Sequence, residues 1–296
     1  MNIYKTLIPS RSALVHMRFF FSVFLLPIFL FALSQAPQII TLNAILTFFI
    51  WHIFVYPASN GYNSYFDKDK GSIALVENPP QVDKSLYVFS LLLDLVAIIL
   101  ALVVSVELLI AVVLYGLFSK LYSHPLTRLK KYPVISFLII FIFQGACVYW
   151  SSYAAISGLS ISQGWNINFF LAGLICSCLI GATYPLTQVY QQKEDAERGD
   201  KTLSLFLGIR GSFIFSGLLF VLATLLLYMY WINLEMPLYF WYFLFFVIPV
   251  LALFLNWAVK VWRDEKEANF KNMSRMTFLS GFMMLLYFGM LNLLSH

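Results

Sequence analysis

Apolar residues in this 296-residue chain fall in long blocks, not at the spacing of a half-buried helix or strand. A membrane-spanning helix needs about 20 mostly apolar residues. Nine segments meet that need: 14–34, 39–62, 86–104, 106–121, 133–157, 167–189, 209–232, 237–260 and 274–294. The gaps between them alternate in character. Some are short and carry turn formers, such as Gln35-Ala36-Pro37-Gln38 and Ser160-Ile161-Ser162-Gln163-Gly164. The others are polar: 63–85, 122–132, 190–208 and 261–273. The pattern predicts an all-α integral membrane protein, a single polytopic domain over 1–296. No gap is long enough for a separate soluble domain.

Composition supports this class. Hydrophobic residues make up 61% of the chain and charged residues 11%, against about 45–50% and about 25% in soluble domains. Polar surface is too scarce to cover such a core in water. Disorder is excluded for the opposite reason, since apolar surface is ample.

Charge orients the helices. With the N-terminus in the cytoplasm, all 19 Lys and Arg residues fall at the N-terminus or after an even-numbered helix, hence on one side. That is the positive-inside bias, and it places His296 outside. The net charge of +5 is then a matter of membrane orientation, not nucleic-acid binding. The first segment has a basic start and an apolar run longer than a signal peptide's, so it is expected to be retained. Cys147, Cys176 and Cys178 sit in apolar stretches and suggest neither a disulfide framework nor a zinc site.

Carboxylates concentrate in two polar gaps, both after an even-numbered helix. In the first, Asn63 and Asp67 are four residues apart. If helix 2 continues through them, an amide oxygen and a carboxylate lie on one face, one turn apart. Hard oxygen donors of this kind suit Mg²⁺, which is held by one or two carboxylates plus substrate phosphates. In the second, Gln191 and Asp195 repeat the spacing. Two clusters facing one another would hold Mg²⁺ between them, with Arg128, Lys130 and Lys201 completing the neutralisation of a diphosphate. Charge at helix ends is also ordinary snorkelling and solvated loop, and spacing alone leaves that reading open.

At these residues the chain resembles the UbiA superfamily of intramembrane prenyltransferases, in particular its 4-hydroxybenzoate polyprenyltransferase-like members. Asn63 and Asp67 match the Asn and the second acidic position of that family's first motif, Asn-Asp-x-x-Asp-x-x-x-Asp. Asp195 matches the later Asp of its second motif, and Gly199-Asp200-Lys201-Thr202-Leu203 matches the tail. The stretch from Tyr122 through Arg128 to Lys130 resembles the family's Tyr-Ser-x-Pro-Pro-x-Lys-Leu-Lys segment, and Arg18 and Pro27 its opening pattern. Departures are visible. Ser64 and Gly71 stand where the family has Asp, Gln191 replaces the first Asp of the second motif, and Asn78-Pro79-Pro80 lacks an Arg.

The resemblance implies a nine-helix bundle and transfer of a prenyl group from an isoprenyl diphosphate to a lipophilic, often aromatic, acceptor. It implies Mg²⁺ as cofactor, with Asp67, Asp69, Asp195, Asn63 and Gln191 as metal ligands. Asp67, Asp195, Arg128 and Lys130 are its catalytic residues. Asn63, Tyr122, Gln191, Lys201, Arg18 and Asp94 are expected to contact substrate. Quinone biosynthesis in a bacterial inner membrane is the matching role, with membrane lipids around the bundle and no protein or nucleic-acid partner.

Asp94 lies well inside helix 3, where a carboxylate is costly and marks function by default. It is either an acceptor contact or a hydrogen-bonded Asp facing another helix. His52 in helix 2 reads as a packed polar residue, and Asn43 and Gln144 as interhelical hydrogen-bond partners. Two other classes remain. The eroded Asp positions suit a non-catalytic isoprenoid- or quinone-binding relative, and a midplane Asp94 suits a transporter.

Overall fold

The computed structural model describes residues 8–68, 71–73 and 75–295. Among them, nine helices are long and apolar enough to cross a membrane: α1 Arg11–Gln35, α2 Thr41–Asp67, α3 Lys84–Val104, α4 Val106–Ser123, α5 Pro133–Ser157, α6 Ile167–Glu197, α7 Leu203–Asn233, α8 Pro237–Arg263 and α9 Phe270–Ser295. All nine predicted segments are present. The main differences lie at the cytoplasm-assigned ends, where α2 and α6 run on into the polar gaps and α7 begins earlier. Many helices show large apolar residues on their outer faces. On α3 these are Leu95, Ile99, Leu102 and Val103, the surface expected where lipid takes the place of water.

The chain divides into two compact units. The first holds the chain through Leu26, then Ala36–Leu129 and Ser151–Ser160; the second holds Pro27–Gln35, Lys130–Trp150 and the chain from Ile161 on. α1 and α5 each contribute to both.

In the first unit, Ala13, Met17, Ala58, Leu86 and Leu93 form a buried core that joins α1, α2 and α3. α2 widens to a π-turn at Ile50–Val55, where the Tyr56 N–H reaches back to the Trp51 carbonyl. Pro57 follows directly. Proline has no N–H for the carbonyl four residues back and its ring crowds that carbonyl, and a π-turn accommodates the defect without breaking the helix. The helix then continues to Asp67. His52 is packed, with Nδ1 3.0 Å from the Ser22 carbonyl oxygen. Asn43 Nδ2 donates to the Ala155 carbonyl at 2.9 Å, as the sequence suggests.

The start of α1 is tied to the segment before α3. Ser10 Oγ donates to Asp83 Oδ2 at 2.5 Å, and Ser12 Oγ to the Gln81 carbonyl at 2.6 Å. Asp83 also caps α3, accepting from the Ser85 N–H at 2.8 Å and from Ser85 Oγ at 2.5 Å. Burial works to raise the Asp83 pKa, but the hydrogen bonds from Ser10, Ser85 and Leu86 outweigh it and hold the carboxyl below its ordinary value. A depressed carboxylate stabilises the fold above its unfolded pKa of about 3.9, and that contribution disappears as pH falls through the lower folded value. Acidification from pH 6 to below 4 should therefore release residues 8–17 to hydrogen exchange. Asp83→Ala should show release at pH 7 and cost about 1 kcal/mol, the scale of a lost cap. Release that is independent of pH in the native protein would contradict this tether.

In the second unit, α6 packs along α7 and against a second π-turn, Phe141–Ala146 in α5. Gly145 lies in that turn. A Cβ there would stand 2.4 Å from the Ser177 Cα, so only glycine permits this crossing. Ser177 Oγ accepts from the Ala146 N–H at 2.9 Å, which satisfies a donor the wide turn exposes. A further core of Leu186, Val189, Phe213, Trp257, Val261, Ala268 and Met273 packs the end of α6 against α7, α8 and the start of α9.

Candidate functional site

Each unit carries one of the two polar clusters. In the first unit, α2 is continuous through Asn63 and Asp67, so the two share a face one turn apart, as expected. A polar seam joins this face to α4: Ser119 Oγ donates to Ser59 Oγ at 2.7 Å, and Asn63 Nδ2 to Ser123 Oγ at 2.9 Å. Asn63 spends its amide nitrogen on Ser123, which turns its oxygen the other way. Asp67 is 6% exposed in its side chain and faces Arg128, with Nη2 3.9 Å from Oδ1.

Arg128 is delivered by a wound loop. The Arg128 N–H donates to the His124 carbonyl at 2.7 Å, and Thr127 Oγ1 to the Leu121 carbonyl at 2.8 Å. Its φ of +41° lies in the left-handed region, uncommon for a residue with a side chain and typical of over-determined functional positions. Tyr122 lies in the last turn of α4, partly buried. Arg18, at φ +49°, donates from Nη2 to the Asn60 carbonyl at 3.2 Å, one turn of α2 before Asn63. Asp69, predicted as a ligand, lies outside the described residues.

In the second unit the expected echo of the first cluster is absent. Regular α geometry in α6 ends at Tyr184, because Pro185 cannot supply the next N–H. The chain continues as 3₁₀ turns over Pro185–Thr187 and Val189–Gln191, and a short helix follows at Gln192–Glu197. Gln191, at φ −101° and ψ 1°, is the residue that precedes that helix. Gln191 and Asp195 therefore do not sit one turn apart on a common helix, which corrects the spacing argument.

The cluster is built from other residues. Asp195 Oδ1 accepts from Arg198 Nη2 at 2.8 Å. Gly199, at φ +76°, reverses the chain so that the Asp200 N–H returns to the Asp195 carbonyl at 2.9 Å and the Gly199 N–H to the Ala196 carbonyl at 3.1 Å. This is the Schellman arrangement, which favours glycine. It brings Asp200 under the short helix, where Oδ2 meets Lys130 Nζ at 3.3 Å and Arg198 Nε at 3.9 Å. Behind it, Gln192 Nε2 donates to the Ser204 carbonyl at 2.8 Å and to Ser204 Oγ at 2.7 Å. The Ser204 N–H donates to Gln188 Oε1 at 3.2 Å, fixing this segment to α7. Lys201 is exposed.

Asp94 is ion-paired with Lys120 of α4, and the Lys120 ammonium lies 5.1 Å over the Tyr62 ring. Lys120 lies in the last turn of α4, within the predicted segment 106–121, and the sequence counted it only among the basic residues of that end. Arg198 and Lys120 are thus polar partners that the sequence did not single out for the site, and Asp200, seen in the motif tail, is a third. For Arg198 a signal existed, since it stands three residues after Asp195 and four after Glu194, the spacings of helical ion pairs.

A profile of the UbiA prenyltransferase family matches residues 24–286. The chain belongs to this family of integral membrane proteins. Its fold is similar to that of a UbiA homologue from Archaeoglobus fulgidus solved with DMAPP and Mg²⁺, at 16% identity and a TM-score of 0.69, over 95% of this chain and 99% of that one. The same homologue bound to GPP and Mg²⁺ gives 16% identity and a TM-score of 0.68, with equal coverage. A structure of digeranylgeranylglyceryl phosphate synthase is similar at 19% identity and a TM-score of 0.61, over 96% of this chain and 98% of that one. No curated protein matches.

Proposed function

We propose that this chain transfers a prenyl group from an isoprenyl diphosphate to a lipophilic, aromatic acceptor within the membrane. The observation that carries the reading is the first cluster. Asn63 and Asp67 lie on one helical face with Arg128 beside them, in a chain of this family. An amide oxygen and a carboxylate one turn apart fit Mg²⁺, which takes hard oxygen ligands and fills its remaining positions with water and phosphate oxygens. Bound there, Mg²⁺ would supply charge to offset that of the departing diphosphate.

The residues of this chain do the rest. Arg128 and Lys130 donate hydrogen bonds to diphosphate oxygens, with Lys201 and Tyr122 as further contacts. Such donors count for more where water is sparse. The allylic C–O bond breaks, diphosphate departs with the bonding electrons, and the acceptor bonds to the allylic carbon and loses a proton. Arg18, braced on α2, keeps the first cluster in register. The N-terminus is assigned to the cytoplasm, which puts both clusters on the side where soluble diphosphates occur.

The test is release of inorganic pyrophosphate from dimethylallyl, geranyl and longer isoprenyl diphosphates by purified protein in detergent, with a pool of aromatic acceptors. Release that requires Mg²⁺ and stops in EDTA is the expected result. Tight binding without release under every acceptor would favour the non-catalytic relative that the altered motif positions suggest. Absence of binding would remove the prenyl-diphosphate reading.

A further inference from the structure

Resting on the diphosphate reading, we propose that the second cluster takes no metal ion, and that Arg198 is its built-in cation and a diphosphate-binding residue. Three observations converge. The first is the donor set. Of the two positions expected to bind metal there, Gln191 precedes the helix that carries Asp195, so the pair lacks the shared helical face of Asn63 and Asp67.

The second is that the carboxylates already have a cation. The Arg198 guanidinium meets Asp195 at 2.8 Å, Glu194 at 3.6 Å and Asp200 at 3.9 Å through three different nitrogens. Asp200 has Lys130 as a second partner at 3.3 Å. Mg²⁺ demands near-octahedral oxygen ligands at about 2.0–2.1 Å. Seated on Asp195, it would share a carboxylate whose Oδ1 already accepts a charge-assisted bond, beside a guanidinium that stays charged at any accessible pH and repels it.

The third is the order of layers. The Asp200 and Asp195 side chains are 1% and 7% exposed, and that of Arg198 is 20% exposed. The Glu194 side chain is 27% exposed, so a ligand arriving from outside meets the guanidinium beside Glu194 and before either aspartate. A planar fork of N–H donors matches phosphate oxygens two at a time. Asp195 and Asp200 then act as positioning residues that hold the fork.

The experiment counts Mn²⁺ as the probe metal, bound per chain in detergent with saturating geranyl diphosphate, by electron paramagnetic resonance. The expected result is one Mn²⁺ per chain in the native protein. It should be unchanged in Asp195→Asn and absent in Asp67→Asn. Arg198→Ala should weaken geranyl diphosphate binding about tenfold to a hundredfold, the range for a lost charged hydrogen bond. Arg198→Lys should fall between, since it keeps the charge and loses the fork. Two Mn²⁺ per chain, reduced to one by Asp195→Asn, would overturn the proposal and leave the diphosphate reading intact, as would geranyl diphosphate affinity unaltered in folded Arg198→Ala. A native protein that binds no geranyl diphosphate would remove the reading beneath it.

Discussion

Asp67→Asn is expected to lower pyrophosphate release on the order of a thousandfold, the upper scale for removing one group from a preorganised electrostatic site. The change is small in volume and keeps the helix end. It removes the charge that draws Mg²⁺ to Asn63 and the partner of Arg128, 3.9 Å away. Arg128→Ala should cost less, on the order of a hundredfold, because a cation at Asp67 would still offset part of the diphosphate charge. Release within tenfold of native in Asp67→Asn would remove this carboxylate from the chemistry.

The second large effect is on stability. Lys120→Met should destabilise the first unit by about 3–5 kcal/mol, the range for breaking a buried ion pair from one side. It leaves Asp94 in the middle of α3 without its cation, in a protein whose side chains there are 16% and 19% exposed. Asp94→Asn alone should be costly for the same reason. The double variant, with neither charge, should recover most of the loss, because two absent charges carry no desolvation penalty. Unfolding in detergent, followed by far-ultraviolet circular dichroism, measures all three. A Lys120→Met protein as stable as native would show that Asp94 has some other partner, and would revive Asp94 as a transport or acceptor residue.

These two predictions differ in how far the sequence could have led to them. The helices were legible because membrane thickness demands a long apolar run and basic residues mark one side. The Asn63 and Asp67 face was legible for a local reason: nothing after Pro57 interrupts α2, so a spacing of four residues means one turn. The second cluster failed the same test because Pro185 ends the α geometry. Once the chain passes into 3₁₀ turns, the spacing of four no longer fixes a shared face. Proline was visible in the sequence, but its consequence six residues later depends on where the chain is next anchored. That anchor is the Gln188, Gln192 and Ser204 network, which joins α6 to α7.

The Asp94 and Lys120 pair was hidden for a different reason. The two stand on successive antiparallel helices, and a sequence does not give the register between two apolar helices. Lys120 read naturally as an interfacial charge, and only packing turns it inward. Asp200 read as part of the tail that matches the family's second motif. The left-handed turn at Gly199 breaks the helix, and in doing so it tucks Asp200 beneath Arg198. Local chemistry was right in each case, and three-dimensional closure decided its use.

The most direct test of the central claim follows a label. Membranes containing the protein are given geranyl diphosphate with radiolabel in the prenyl group, together with Mg²⁺ and aromatic acceptors. Products are then separated into water-soluble diphosphate, free prenyl alcohol and prenylated acceptor. Prenyl transfer predicts that label moves into an acid-stable, organic-soluble acceptor adduct, in step with pyrophosphate release, and that Asp67→Asn abolishes the movement. Label that stays on the diphosphate, or appears only as free alcohol with every acceptor tried, would contradict it.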